Sequence, residues 1–533
     1  MTARAIEDWL TKASERSYQA AFCHLLNAMG YSVIHSTTHG PTEEGKDVIA
    51  RNSQGTVYAI QLKRGNINVS DWRSIKPEME ELTELPVNHP SVKPGTRHVP
   101  LLVTTGYIHE NVASRIAGMN RQLAARRFKK LITWTGSELL MSFIEHSGGF
   151  LPQPLPDFHR LLGFMIAKGD GPLDKPGFDL LIRSVLPVGR DPRNTNRNTV
   201  IRAITASAII GEYALGAYDR MLNSYAKIEA YVMLFCYIRA TAIAHRIPEK
   251  DWKPSVELLE STVDGCVGKL MEELRQPHYF GQGDPLTEPV VAPYRNTVLG
   301  GVLSAHGIWY KLGGPSEWYA DSRDKVVDTV ASLSKNSAIP SEAFIPPRFL
   351  SSTYLRHNGH VRLGQNMFNE LLHIAILRKH KGPGVMPLWG VYVPLEEAIL
   401  RELGKHQQSV SPEPWEIETS TGHSLLVVAA SRLMRRELQS LWHAITNLHF
   451  AEFVPDRGYE NLLWNNKRGK MVQTVARQPQ SWEQLLQEVR TSEKLPHHFK
   501  GYEHWIPYYL TVYPQRFSPS IVLALERLMN ASD

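Results

Sequence analysis

Two short runs of alternating apolar and polar residues, Gly45-Lys46-Asp47-Val48-Ile49-Ala50-Arg51 and Val57-Tyr58-Ala59-Ile60-Gln61-Leu62-Lys63, flank Asn52-Ser53-Gln54-Gly55-Thr56. A period of two on each side of a glycine-containing turn predicts a β-hairpin. A three-residue loop Ser53-Gln54-Gly55 puts glycine in the left-handed position that such loops need. Arg51 then faces Val57, and Asp47 faces Gln61. Side chains alternate across a strand, so Asp47, Gln61 and Lys63 are expected on one face. Val48, Ala50, Tyr58, Ile60 and Leu62 turn to the other, towards a core. An acid, an amide and an ammonium converge on an otherwise apolar hairpin.

That trio suits metal-dependent phosphodiester cleavage. A hard divalent ion prefers oxygen ligands, which the Asp47 carboxylate, the Gln61 side-chain carbonyl and the Leu62 main-chain carbonyl can supply. Such an ion polarises a phosphoryl group and acidifies a bound water. Lys63 is placed to orient that water or to stabilise developing negative charge. The alternative is an ordinary surface pair of Asp47 with Lys63 on a solvated sheet face.

The surrounding order of features bears on that choice. A helix with Tyr18, Phe22, Leu25, Leu26 and Met29 on one stripe ends at Gly30, and a strand Tyr31-Ser32-Val33-Ile34-His35 follows. After the hairpin come a helix from Asp71 capped by Ser70, and a buried-looking strand from Val99 to Gly106. Pro77 is expected to kink or break that helix. A further helix, a short strand Leu131-Ile132-Thr133-Trp134 and Gly136-Ser137-Glu138-Leu139-Leu140 complete the segment. Over roughly the first 145 residues this order resembles the Mrr-type restriction endonucleases of the PD-(D/E)xK nuclease superfamily. The resemblance implies a central mixed sheet flanked by helices, Mg²⁺-dependent (or Mn²⁺-dependent) DNA cleavage, and a glutamine in place of the second acid. It implies catalytic roles for Asp47, Gln61 and Lys63, and metal ligation by Asp47, Gln61 and Leu62. Relatives usually carry Glu about where Tyr18-Gln19 stands, which adds Gln19, and Glu15 one turn earlier. Glu43 lies four residues before Asp47, where relatives often have another acid.

A net charge of +6 favours an anionic partner, and 42% apolar with 21% charged residues is a globular balance. Cys23, Cys236 and Cys266 are far apart and form no CxxC pair, so a disulfide scaffold is not expected and a reducing cytoplasm is. The first residues, Met1 to Trp9, lack the apolar core of a signal peptide. The longest apolar run, Ala230 to Ile238, is too short to span a bilayer. Arg121, Arg126, Arg127, Lys129 and Lys130 form the densest basic run of the first segment. It reads either as phosphate contacts or as a solvated helix end.

Ser147 to Pro156, with paired glycines and alternating prolines, is the clearest linker. The expected division is a nuclease-like α/β domain over 1–146, a linker over 147–157, and a large, mainly α-helical region over 158–533. Helices are expected at Val200–Ala217, Leu222–Ala244, Val256–Leu274, Val298–Leu312, Asp324–Leu333, Asn366–Lys379, Ser424–Leu448 and Ser520–Met529. This region has no GxxxxGK[ST] loop, no GxSxG elbow and no HExxH helix. Arg190 to Asn198, and Asn465 to Lys470 beside Trp464, are basic loops that suit either nucleic acid or solvent. The expected function is a DNA endonuclease of bacterial restriction or anti-phage defence type, with DNA as substrate and a homodimer as the simplest assembly. The alternatives are a nuclease fold that binds DNA or assembles without cutting, and an effector activated by a ligand or partner protein at the helical region.

Overall fold

A computed structural model describes residues 2–13, 15–36, 46–151, 154–275, 288–380, 388–391, 393, 397–398, 400, 418–455, 457–464, 473–477, 481–492 and 495–531. Gly45, Glu43 and the 465–470 loop lie outside them. The chain is mostly helical with a small mixed sheet near its start, and it divides into two compact units, Met1–Gly265 and Cys266–Asp533.

The first unit is built on a five-stranded sheet in the order β1 (Ser32–Ser36), β2 (Val48–Arg51), β3 (Val57–Lys63), β4 (Val99–Thr104), β5 (Ile132–Trp134). The first three strands are antiparallel and the last two run parallel to β3. The hairpin has the register read from the sequence, with Arg51 opposite Val57 and Val48 opposite Ile60. Gly55 closes its turn at φ +83°, and the Asn52 side chain accepts from Gln54 N and Thr56 N.

Both faces of this sheet are buried. On one, Ile49, Val57, Ala59 and Leu102 pack with Trp72, Met79 and Leu82 of α3 (Val69–Glu84) and Val112 and Ile116 of α4 (Glu110–Ala125). On the other lie α2 (Glu15–Ala28) and α5 (Gly136–Ser147), where Phe22 meets Trp134 edge to face with ring centroids 6.1 Å apart. The face of the hairpin that carries Gln61 is therefore not a solvated polar face, because Ile49, Val57 and Ala59 share it.

Two helix boundaries differ from expectation. The cap of α3 is Asn68 rather than Ser70: its side chain accepts from Ser70 N and Asp71 N while Asp71 reaches back, a reciprocal capping box. Pro77 does not break α3, which runs unbroken from Val69 to Glu84. Pro77 is exposed, while Trp72, Met79 and Leu82 anchor the helix to the core on both sides of it.

The glycine- and proline-rich stretch read as a linker lies within the first unit. α1 (Thr2–Lys12), α2 and α5 pack against α8 (Arg197–Arg220), with α6 (Leu155–Ile166), α7 (Lys175–Val185) and α9 (Ser224–His245) around it. Trp9 of α1 lies 4.5 Å from Tyr213 of α8 and 5.8 Å from Phe143 of α5, and the Ser147 and Tyr213 hydroxyls are 3.1 Å apart. Aromatic packing thus ties the sheet domain to the helices that follow it. Among the described residues α8 is long and apolar enough to cross a membrane, yet most of it is buried inside this unit, as a core helix is.

The second unit centres on the helix Glu288–Lys311, packed by Tyr319–Lys335, Ile345–His357 and Ile506–Val512. The single helix expected over Ser424–Leu448 is two, Gly422–Ser431 and Arg435–Ile445, separated at Leu433, whose φ of 58° no helix accommodates. A three-stranded sheet, Glu418–Thr419, His449–Val454 and Gln473–Arg477, interrupts the otherwise helical unit.

Candidate active site

The residues singled out by sequence gather at the end of the β2–β3 hairpin away from its turn. Asp47 immediately precedes β2 and is 4% exposed. It does not continue the ladder to face Gln61. Its N–H donates instead to the Ile60 carbonyl at 2.9 Å, and its carboxylate Oδ2 accepts from the Leu62 N–H at 2.6 Å. The regular ladder ends at Val48, and the carboxylate takes the place that a main-chain carbonyl would fill. Asp47 therefore grips the residues on either side of Gln61 rather than Gln61 itself. The two main-chain groups of one strand residue point to the same neighbouring strand, so the Leu62 carbonyl is directed to this same edge, past the end of β2.

Gln61 is 5% exposed, and its Oε1 is buried with no hydrogen-bond partner among the described residues. A buried carbonyl oxygen left unpaired costs about 1–3 kcal/mol, so this atom is the clearest unmet polar demand of the hairpin. Lys63, two residues on and on the same face, places its Nζ 2.7 Å from Oε2 of Glu78. Glu78 was not anticipated. It stands on α3 directly after Pro77, with no motif to mark it; only the packing of α3 over this sheet face brings it to Lys63.

Gln19, on α2, reaches the site from the other side. Its Nε2 donates to the Asp47 main-chain oxygen at 3.3 Å and to Ser36 Oγ at 3.0 Å. Gln19 is thus a brace for the Asp47 backbone and for β1. Glu15 sits one turn earlier and does not join this hydrogen-bond set among the described contacts. Its charge is nevertheless felt nearby: burial first, then Asp47 and Glu15, hold the Tyr18 hydroxyl well above the usual phenol range. The neighbouring Cys23 thiol is pushed up to about 12, chiefly by burial, and is an unreactive core group.

Asp47 is joined to Leu62 by the hydrogen bond from Leu62 N, Gln61 lies between Ile60 and Leu62 in the strand, the Lys63–Glu78 pair follows it, and Gln19 approaches the Asp47 backbone from α2. Among the described residues no group of three or more His, Cys, Asp or Glu side chains is placed to hold a metal ion. Of the basic run, Arg126 is engaged by Glu84 at 2.9 Å. Of the basic loop after α7, Arg197 pairs with Asp251 at 2.8 Å. Comparison with known protein families, with curated proteins and with solved structures finds no match to this chain.

Proposed function

We propose that the first unit is a Mg²⁺- or Mn²⁺-dependent endonuclease acting on DNA, of bacterial restriction or anti-phage defence type, in the cytoplasm. The observation that carries the reading is the buried, unpartnered Gln61 oxygen next to Leu62, whose N–H is held by the Asp47 carboxylate. The donors fit a hard divalent cation, being all oxygen and including one carboxylate. Asp47, Gln61 and the Leu62 carbonyl would hold it, and when bound it supplies Lewis-acid polarisation of a phosphate and a more acidic water. The chain's own groups do the rest. Leu62 fixes the rotamer of Asp47, and Gln19 fixes its backbone. Glu78 keeps the Lys63 ammonium extended along the sheet face until a phosphate replaces it. Lys63 then stabilises charge that develops on the phosphoryl oxygens.

A second reading, DNA binding or assembly without cleavage, is favoured by the single carboxylate among Gln19, Asp47 and Gln61 and by the absence of a three-residue acidic or histidine cluster among the described residues. Under either reading the second unit serves recognition, assembly as a homodimer, or response to a ligand or partner protein. The test is nicking of supercoiled plasmid by the full chain with Mg²⁺ or Mn²⁺, beside Asp47→Asn and Lys63→Ala. Metal-dependent nicking lost in both variants supports the first reading. Tight DNA binding without nicking in either metal supports the second.

A further inference from the structure

The densest basic run is not the surface nearest the candidate site. Lys63 ends β3 and pairs with Thr104, the last residue of β4. From there α4 carries the chain back along the sheet, about 24 Å at 1.5 Å per residue, to Ile132, which pairs with Leu101. Arg121 to Lys130 therefore lie towards the opposite end of the strands. What stands beside Lys63 is the rim formed by the loops after β3 and β4.

That rim is rigid. Thr105 N donates to the Lys63 carbonyl at 3.2 Å, Gly65 N to Thr105 Oγ1 at 2.9 Å, and Tyr107 N to Asn66 Oδ1 at 3.1 Å. Ile67 N donates to the Tyr107 carbonyl at 2.9 Å, and His109 N to the Ile67 carbonyl at 3.1 Å. The two backbones come so close at Gly65 and Gly106 that a Cβ on Gly106 would lie 2.4 Å from the Gly65 carbonyl carbon. Flanking this contact are Arg64 and Tyr107, both exposed. Tyr107 is 60% exposed. Neither side chain has a partner among the described residues. A free guanidinium and a free aromatic ring are thus held on a fixed backbone next to Lys63.

We infer that this rim holds an unstacked nucleotide beside the phosphate to be cut, with the Tyr107 ring stacked on its base and Arg64 on its phosphate. This rests on the nuclease reading of the same site and adds a substrate class: DNA with a single-stranded or displaced nucleotide at the point of attack. An aromatic ring gains about 1–3 kcal/mol from one base face, but only where that base has left the duplex stack. Arg64 supplies the salt-dependent share of binding.

The test is fluorescence anisotropy of the full chain with a labelled single-stranded oligothymidine and with a duplex of the same length, in EDTA so that no cleavage intervenes. The wild type is expected to prefer the single strand. Tyr107→Ala is expected to weaken single-strand binding about 5- to 150-fold, with Tyr107→Phe close to wild type and duplex binding changed far less. Arg64→Ala is expected to weaken both and to reduce the salt slope by about one. Both side chains are exposed, so equal melting temperatures confirm that the variants are folded. Unchanged single-strand affinity in Tyr107→Ala, or equal losses for both substrates, overturns the inference, as does an absence of oligonucleotide binding at low salt. If the full chain never nicks plasmid but the Tyr107 effect is present, the nuclease reading falls and the rim stands; nicking with no Tyr107 effect gives the reverse.

Discussion

The Lys63 ammonium lies 2.7 Å from the Glu78 carboxylate, joining the last residue of β3 to the middle of α3. Both groups keep some exposure, at 21% and 42% of their side-chain surface. An ion pair in that setting contributes about 0–1 kcal/mol, so an incoming phosphate can displace Glu78 at little cost. Lys63→Ala is expected to abolish cleavage. Glu78→Gln, which still offers an oxygen to Lys63, is expected to change the rate by no more than about fivefold. Single-turnover cleavage rates check this, and a Glu78→Gln variant as inactive as Lys63→Ala makes Glu78 a direct participant.

Asp47 has two tasks that separate by substitution. Its carboxylate accepts the buried Leu62 N–H, so Asp47→Ala orphans a donor and is expected to lose about 1–3 kcal/mol of stability. Asp47→Asn keeps an oxygen acceptor for that N–H but removes the charge. It is expected to melt near the wild type while losing cleavage. Thermal melts run beside the nicking assay decide it, and wild-type nicking by Asp47→Asn removes Asp47 from the chemistry.

A fragment ending near Gly149 is expected not to fold as a stable domain. It deletes α8, and with it Tyr213, which packs on Trp9 and Phe143 and meets the Ser147 hydroxyl. Removing aromatic partners of this size from a core typically costs 3–5 kcal/mol each, roughly the scale of Phe→Ala and Trp→Ala changes. Limited proteolysis and circular dichroism of the fragment test it. A cooperative melt matching the full chain's would show that the sheet domain stands without these helices.

Stability is expected to respond to pH through α8 and α2. Burial pushes the Glu212 carboxyl from 4.5 up to about 7, against the opposing pull of Lys227 and the Tyr231 hydroxyl, with Asp219 adding to the rise. The folded chain then keeps a proton that the unfolded chain releases, so this group's contribution falls as pH rises from about 4.5 through 7. Burial pushes His24 the other way, from 6.5 to about 4, so its contribution falls as pH drops through that window. Glu212→Gln, which can still accept from Tyr231, is expected to raise the melting temperature at pH 8 and to leave it nearly unchanged at pH 5. A variant profile parallel to the wild type's contradicts the assignment.

The hairpin was legible because its period, glycine turn and register are local properties of about twenty residues. The sequence order also places β4 and β5, and the α8 and α9 helices were visible as long apolar segments. What failed to show depends on distant packing. Glu78 approaches Lys63 only because α3 lies over that sheet face, and α1 was overlooked because its role is to seat Trp9 against Tyr213. The Asp47 bond to Leu62 N breaks the very alternation from which the site was read, since a carboxylate there replaces a ladder carbonyl. The boundary expected at the glycine- and proline-rich stretch falls inside the first unit, where α8 packs on α1, α2 and α5.

Gln61 gives the most direct measurement of the central claim, that its buried oxygen is kept for a metal ion rather than for the fold. The measurement is Mg²⁺-dependent plasmid cleavage by the wild type, Gln61→Glu and Gln61→Leu, with melting temperatures alongside. Gln61→Glu, a stronger ligand for a hard cation, is expected to retain or raise activity. Gln61→Leu removes the unpartnered oxygen, so it is expected to be at least as stable as the wild type and yet inactive. Equal cleavage by all three proteins would contradict the account.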